Sequence, residues 1–205
     1  MIVTPWGYSL NNVDKLPDFI TAQEFNAFTN SKFGLDARIA ANIPSATAAI
    51  RNYCGWHISP KLECFAEYRI MDLRDAFVGP DVLVQLPATF VSDIKSVAID
   101  GENTSDFDLD KCGLLRIYDV DFHDRRSKIS IVYDAGLDDS QITVIKELTA
   151  HRVTHAVSSS YGVMSEAAGG VSITYNASWA GNTRSTALPD DNREVLEPYR
   201  VKGVF

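Results

Sequence analysis

The sequence predicts an α+β protein, a small helical bundle with an antiparallel β subdomain inserted into it. Three observations predict it. Helical stretches with recognisable caps fill residues 21–60, and a block rich in branched and aromatic residues follows from 62 to 135. Helical periodicity then returns over residues 138–160.

Residues 1–20 are polar and carry Pro5 and Pro17, which reads as a loosely held N-terminal arm. Thr21 opens a helix toward Phe33, because Thr21 and Glu24 have the spacing of a capping box, and Gly34 ends it. A turn or second short helix through Arg38 leads into an alanine-rich helix with Pro44 near its first position. Ala46, Ala49, Ile50 and Tyr53 fall at i, i+3, i+4 and i+7 and form one apolar stripe. Gly55 stands where a left-handed C′ residue is wanted, Trp56 at C″ can fold back onto Ile50, and Pro60 opposes resumption of the helix. His57, in this exit, reads as a residue that fixes the turn.

From Leu62 onward the signals are β. Val82–Leu86, Ile94–Ile99, Leu114–Tyr118 and Ile129–Tyr133 are bounded by Gly, Pro or Asp. Ile129, Ile131 and Tyr133 alternate with Lys128, Ser130 and Val132, the pattern of a sheet with one exposed face. Asp100-Gly101 is a natural tight turn. Ser140 to Ser158 reads as a long helix with Ile142, Ile145, Leu148 and Thr149 inward. Past a Gly169-Gly170 hinge, Val171, Ile173 and Tyr175 alternate with Ser172 and Thr174, a short strand with one apolar side. It belongs to a loop and strand arm over residues 165–187. A lone strand has little stability without a partner, so a hairpin arm or loop is expected, ordered against a neighbouring subunit or another chain. Leu188 to Leu196 reads as a C-terminal helix with Pro189 and acids at its start. Pro198 then leaves Tyr199 to Phe205 as an aromatic, basic tail.

A net charge of −8 argues against a sequence-reading nucleic-acid binder, which would carry a basic patch. No apolar run approaches the ~18 residues of a membrane span, and the N-terminus lacks a signal pattern, so no membrane contact is expected. Cys54, Cys64 and Cys112 are odd in number and lack Cys-x-x-Cys spacing, which fits reduced thiols.

Two constellations carry potential chemistry. Glu147, His151 and His155 are spaced four apart on one helix face, and such a set can hold zinc. A metal-dependent hydrolase using these three is the enzymatic alternative, yet Arg152 stands where the general-base glutamate belongs. Val144 and Leu148 precede them on the same stripe, so a structural or interface role is the preferred reading. Asp106, Asp108 and Asp110 imitate the opening of a calcium loop, but Lys111 replaces the glycine at position six and Ile117 the glutamate at twelve. Phe107 and Leu109 between the acids suit an acidic-faced hairpin flank. No nucleophile elbow, phosphate loop or dinucleotide fingerprint occurs. Catalytic residues, metal ligands and cofactors are therefore expected to be none.

A series of phrases resembles the head–tail connector proteins (adaptor or head-completion proteins) of long-tailed bacteriophages. Thr21-Ala-Gln-Glu24-Phe25 comes first, then the alanine helix ending in Tyr53-Cys-Gly-Trp-His-Ile58. Leu86-Pro-Ala88, Val91 to Gly101, Gly113-Leu-Leu-Arg-Ile117, Val132-Tyr-Asp-Ala-Gly136 and Leu196-Glu-Pro-Tyr-Arg200 follow in order. The resemblance spans Thr21 to Arg200, making residues 21–205 a connector domain behind the arm at 1–20.

The resemblance implies a structural virion protein of the neck, assembled in the host cytoplasm. It would dock as a closed ring, a dodecamer in the family's manner, on the portal protein after DNA packaging. The ring would extend the DNA channel toward a stopper or other tail-side neck protein, and packaged DNA would pass without sequence recognition. An acidic wall suits a channel to which DNA must not stick. Another virion joining protein, a stopper or a tail-completion protein, is the nearer alternative. Interface residues are expected at Ala49, at Val171, Ile173 and Tyr175 of the arm, which would order against a neighbouring subunit or the portal, and at Tyr199 and Arg200.

Overall fold

A computed structural model describes residues 1–33, 37–73, 77–110, 113–120, 127–158, 165–168, 171–174 and 190–201. In chain order the strands are β1 (Ile2–Val3), β2 (Tyr8–Leu10), β3 (Leu62–Arg69), β4 (Phe77–Val78), β5 (Asp81–Gln85) and β6 (Val91–Ile99). They continue with β7 (Glu102–Thr104), β8 (Phe107–Leu109), β9 (Leu114–Ile117), β10 (Lys128–Ala135), β11 (Ser165–Ala168) and β12 (Val171–Thr174). The helices are α1 (Ala22–Phe28), α2 (Ala37–Cys54), α3 (Thr143–Ser158) and α4 (Asp190–Leu196). The chain divides into two compact units, one of residues 1–17, 54–141 and 199–205, the other of 18–53 and 142–198.

The first unit is built on antiparallel sheets. One runs β1-β2-β3-β10-β6-β7 and the other β4-β5-β9-β8. Period-two alternation sorts β10 into two faces: Ile129, Ile131, Tyr133 and Ala135 are buried, while Lys128 is exposed. Register carries the buried face across the sheet. Ile131 pairs Ala66, which pairs Tyr8; Tyr133 pairs Cys64, which pairs Leu10. On the opposite face Lys95 bridges Glu63 (2.7 Å) and Asp134 (2.9 Å), tying β6 to β3 and β10. Burial pushes the Cys64 thiol up to about 12, so it packs as a small apolar group. Asp100 and Gly101, both at positive φ, make the two-residue turn from β6 to β7.

The second unit is helical, with a β11–β12 hairpin. Ile20, Phe25, Ile39, Ile43, Ala46, Ala150, Val153 and Val157 form its core, contributed by the segments of α1, α2 and α3. The capping box at α1 is present: Glu24 N–H donates to Thr21 Oγ1 (3.2 Å) and Thr21 N–H to Glu24 Oε2 (2.7 Å). The other oxygen of Glu24 accepts from Lys146 Nζ at 2.8 Å, so one carboxylate caps α1 and ties it to α3. That lysine contact, then the Thr21 amide, lowers the Glu24 pKa.

Several expectations change. The α+β class stands, but the protein is mostly sheet, not a helical bundle carrying a β insert. The difference lies in strands that local pattern did not single out. Residues read as a loosely held arm supply β1 and β2, with Tyr8 and Leu10 buried; Phe19 and Ile20 are buried too, in the second unit. Pro44 lies inside α2, which starts at Ala37, and not at a helix start. One lost backbone donor is outweighed here by an apolar stripe that begins earlier, at Ile39 and Ile43. The Gly34 stop, the Gly169-Gly170 hinge, Cys112, Lys111 and Tyr175 lie outside the described residues.

Candidate functional site

The exit from α2 gathers the first unit together. Gly55 takes the expected left-handed conformation at φ +78°. Trp56 is fully buried, stacks on Phe90 with ring centroids 6.0 Å apart, and donates from Nε1 to the Tyr199 carbonyl at 2.6 Å. His57 is fully buried too. Its Nε2 lies 3.1 Å from the Ala135 carbonyl, which can only accept, so Nε2 carries the proton. Nδ1 then accepts from the Tyr8 hydroxyl at 2.7 Å, and the same Tyr8 oxygen accepts from the His57 backbone N–H at 3.0 Å. His57 thus fixes the turn, as its place in the helix exit suggested, and the partner in β2 that holds it carried no local signal.

Two glycines of the quoted phrases sit where backbone meets backbone. A Cβ on Gly136 would lie 2.4 Å from the Pro60 carbonyl oxygen, at φ +125°. A Cβ on Gly113 would lie 2.4 Å from the Ala88 carbonyl oxygen, while Leu86 N–H donates to the Gly113 carbonyl at 2.9 Å. The Leu-Pro-Ala phrase and the Gly-x-Leu-x-Ile phrase therefore touch each other.

The C-terminal turn closes the same unit. Val201 N–H donates to the Cys54 carbonyl at 2.9 Å, and the Tyr199 ring tilts against Phe90 at 6.0 Å. Tyr199 and Val201 are half-buried and Arg200 is exposed. The aromatic, basic tail expected from Tyr199 onward is thus anchored as far as Val201, where the Trp56 indole N–H and the Cys54 carbonyl find partners. Residues 202–205 lie outside the described part.

Ala49, the hairpin residues and the histidine set fall in the second unit. Ala49 is buried on α2, and Ala46 beside it belongs to the helical core. Val171 and Ile173 stand on β12, which pairs with β11 in register Ile173↔Glu166 and Val171↔Ala168. The arm is a hairpin, one of the two forms expected for it, and that two-stranded sheet pairs with no further strand among the described residues. On α3, Glu147 and His151 are exposed and His155 is half-buried. The two imidazoles meet edge to face, but no group of three His, Cys, Asp or Glu capable of holding a metal occurs among the described residues. Burial, and then the neighbouring His151, lowers the His155 pKa. Asp106, Asp108 and Asp110 are exposed while Phe107 and Leu109 are half-buried, the alternation of a hairpin flank. Exposed apolar side chains cluster in sequence at Met71, Phe77 and Val78, and Phe90 and Tyr118 are partly exposed as well. No helix of the described residues is long and apolar enough to cross a membrane.

The head completion protein family matches over residues 18–201, and the chain belongs to that family. It is accordingly a structural component of a phage virion with a non-enzymatic, head–tail joining role. None of the curated proteins matches the chain.

Proposed function

We propose that the chain works as a ring docked on the portal after DNA packaging, extending the DNA channel toward the tail. The ring holds about twelve copies, each presenting two different side faces to its neighbours. Packaged DNA passes without being read, and the acidic balance of the chain (net charge −8) keeps the lumen from binding it. The stopper or another tail-side neck protein sits below. Val171, Ile173 and Tyr175, on or beside the β11–β12 hairpin, bind a neighbouring subunit or the portal. Arg200, held beside the anchored Tyr199, contacts the portal, and an aromatic next to an arginine has the composition of an interface anchor. Ala49 keeps α2 slim in the helical seam.

The observation that carries this reading is the match to the head completion family over residues 18–201. The hairpin supports it, since an isolated pair of strands is marginally stable and gains from a partner. Pull-down with purified portal protein, against tail-tube and stopper proteins, tests it. Capture by the portal is expected; capture by tail-side proteins alone would make the chain a tail-completion component instead.

A further inference from the structure

Arg152 on α3 carries a charge that its own subunit does not neutralise. Its Nε and Nη1 are buried, and neither finds a hydrogen-bond acceptor among the described residues. The other partly shielded bases of this chain are paired: Arg116 with Asp81, Lys95 with Glu63 and Asp134, and Lys146 with Glu24. Arg152 belongs to none of the ion pairs of the described residues. Its own helix cannot supply an anion, since the positions three and four residues away are Leu148, Thr149, His155 and Ala156. Glu147 lies five residues back and so on another side of α3. The nearby α1 acid, Glu24, is committed to Lys146 and to the Thr21 amide. Burial, with no opposite charge to offset it, lowers the Arg152 pKa.

We propose that Arg152 receives a carboxylate from a neighbouring copy of this chain, which puts α3 at one of the side faces through which the ring closes. This contact rests on the proposed ring and names one pair within it. Buried donors in a native protein have partners, so a guanidinium left without one in the single subunit is completed on assembly. Arg152 as a residue is half-buried, so part of it stays open to an incoming group. The charge is delocalised over the whole guanidinium, and shielding two of its nitrogens strips away water that would screen it. An anion at the open edge is therefore held more strongly than at a free surface. The occupant is a second copy because the chain has 27 Asp and Glu against 19 Lys and Arg, so every copy brings surplus carboxylates. In a head-to-tail ring the two side faces differ: one carries the arginine, the other the acid, and the same pair repeats at every seam.

Arg152→Met removes the charge and keeps most of the apolar stem. In the isolated subunit its melting temperature should equal or exceed that of wild type, because an unsatisfied group is removed. On DNA-filled, portal-bearing heads, the free concentration that half-fills the ring should rise about tenfold or more. A lowered melting temperature would show that Arg152 has a partner inside its own subunit, and unchanged filling of the heads would show that the ring does not use it; either result overturns the contact. Arg152→Lys identifies the partner. Isotope-labelled and unlabelled copies of that variant are mixed, bound to heads and treated with a zero-length carbodiimide, which joins an amine to a carboxyl in contact with it. Mass spectrometry should find position 152 of a labelled chain joined to an Asp or Glu of an unlabelled one. Links within one chain only, links to the portal only, no links, or dependence of wild-type filling on the presence of DNA would each overturn it, the last by assigning the arginine to phosphate. Wild-type protein that binds no heads contradicts the ring itself, and the contact falls with it; wild-type binding with any of the other failures overturns the contact alone.

Discussion

The exit of α2 and the seam of the helical unit are held by different physics. At the exit, residues 55–61 are locked by hydrogen bonds and by backbone contacts that leave no room for a side chain. In the seam, α1, α2 and α3 meet through apolar volume, with one lysine–carboxylate contact on top. Volume can be repacked, at a cost of about 1–3 kcal/mol for an ill-fitting residue, whereas two backbones cannot move apart without unmaking the sheets. The sheet unit should therefore tolerate far less change at its junctions than the helical unit does anywhere.

Gly136→Ala should have the largest effect. The new methyl would press on the Pro60 carbonyl and on Lys61 Cα at 2.7 Å. A loss of about 4 kcal/mol or more is expected, read as insoluble protein or a collapsed melting transition. Tyr8→Phe comes next. It leaves His57 Nδ1 and the His57 amide buried without their partner, at about 1–3 kcal/mol for each orphaned group. Denaturant unfolding should show a lower midpoint with an unchanged slope.

These junctions explain what was legible in the sequence. Gly55, Gly113 and Gly136 could be read as punctuation, and β5, β6, β9 and β10 lie close to their expected places because their alternation is local. What the glycines touch was not readable, since Pro60 and Ala88 are distant in the chain. The strands β1 and β2 were missed for the same reason. Three-residue Tyr8–Leu10 has no periodicity to detect, and its pairing with β1 and with Cys64 and Ala66 of β3 makes it a strand. Of the expected interface residues, Ala49 was visible as part of a stripe. That Tyr199 is anchored by Trp56 and Phe90 depends on a contact 143 residues away in sequence.

In the helical unit Ala49→Phe is expected to cost about 1–3 kcal/mol, and a compensating small residue elsewhere in the seam should recover part of it. Rescue of that kind should fail for Gly136→Ala, which separates the two regions cleanly. Thr21→Ala is milder, about 1 kcal/mol through the lost cap, seen as a melting shift of a few degrees. The Glu24 contact also predicts a pH dependence. Its carboxyl titrates below the ordinary 4.5 in the folded state, so its contribution is present above that value. It is lost as pH falls through the lowered value, and Glu24→Gln should flatten the acid limb of the stability curve.

The C-terminal turn offers the most direct test of the docking role, because anchoring and docking can be cut apart. Removing residues 202–205 keeps Tyr199 and Val201 on Trp56 and Cys54, whereas removing 198–205 strips both contacts and should destabilise the subunit. The decisive measurement is sedimentation of DNA-filled, portal-bearing heads with the full-length chain, with the 202–205 deletion, and with Arg200→Ala. Full-length protein should co-sediment with the heads at a fixed ratio near twelve copies, and folded Arg200→Ala should remain in the supernatant. Full-length protein that stays in the supernatant, or binds heads lacking the portal equally well, would contradict the connector role.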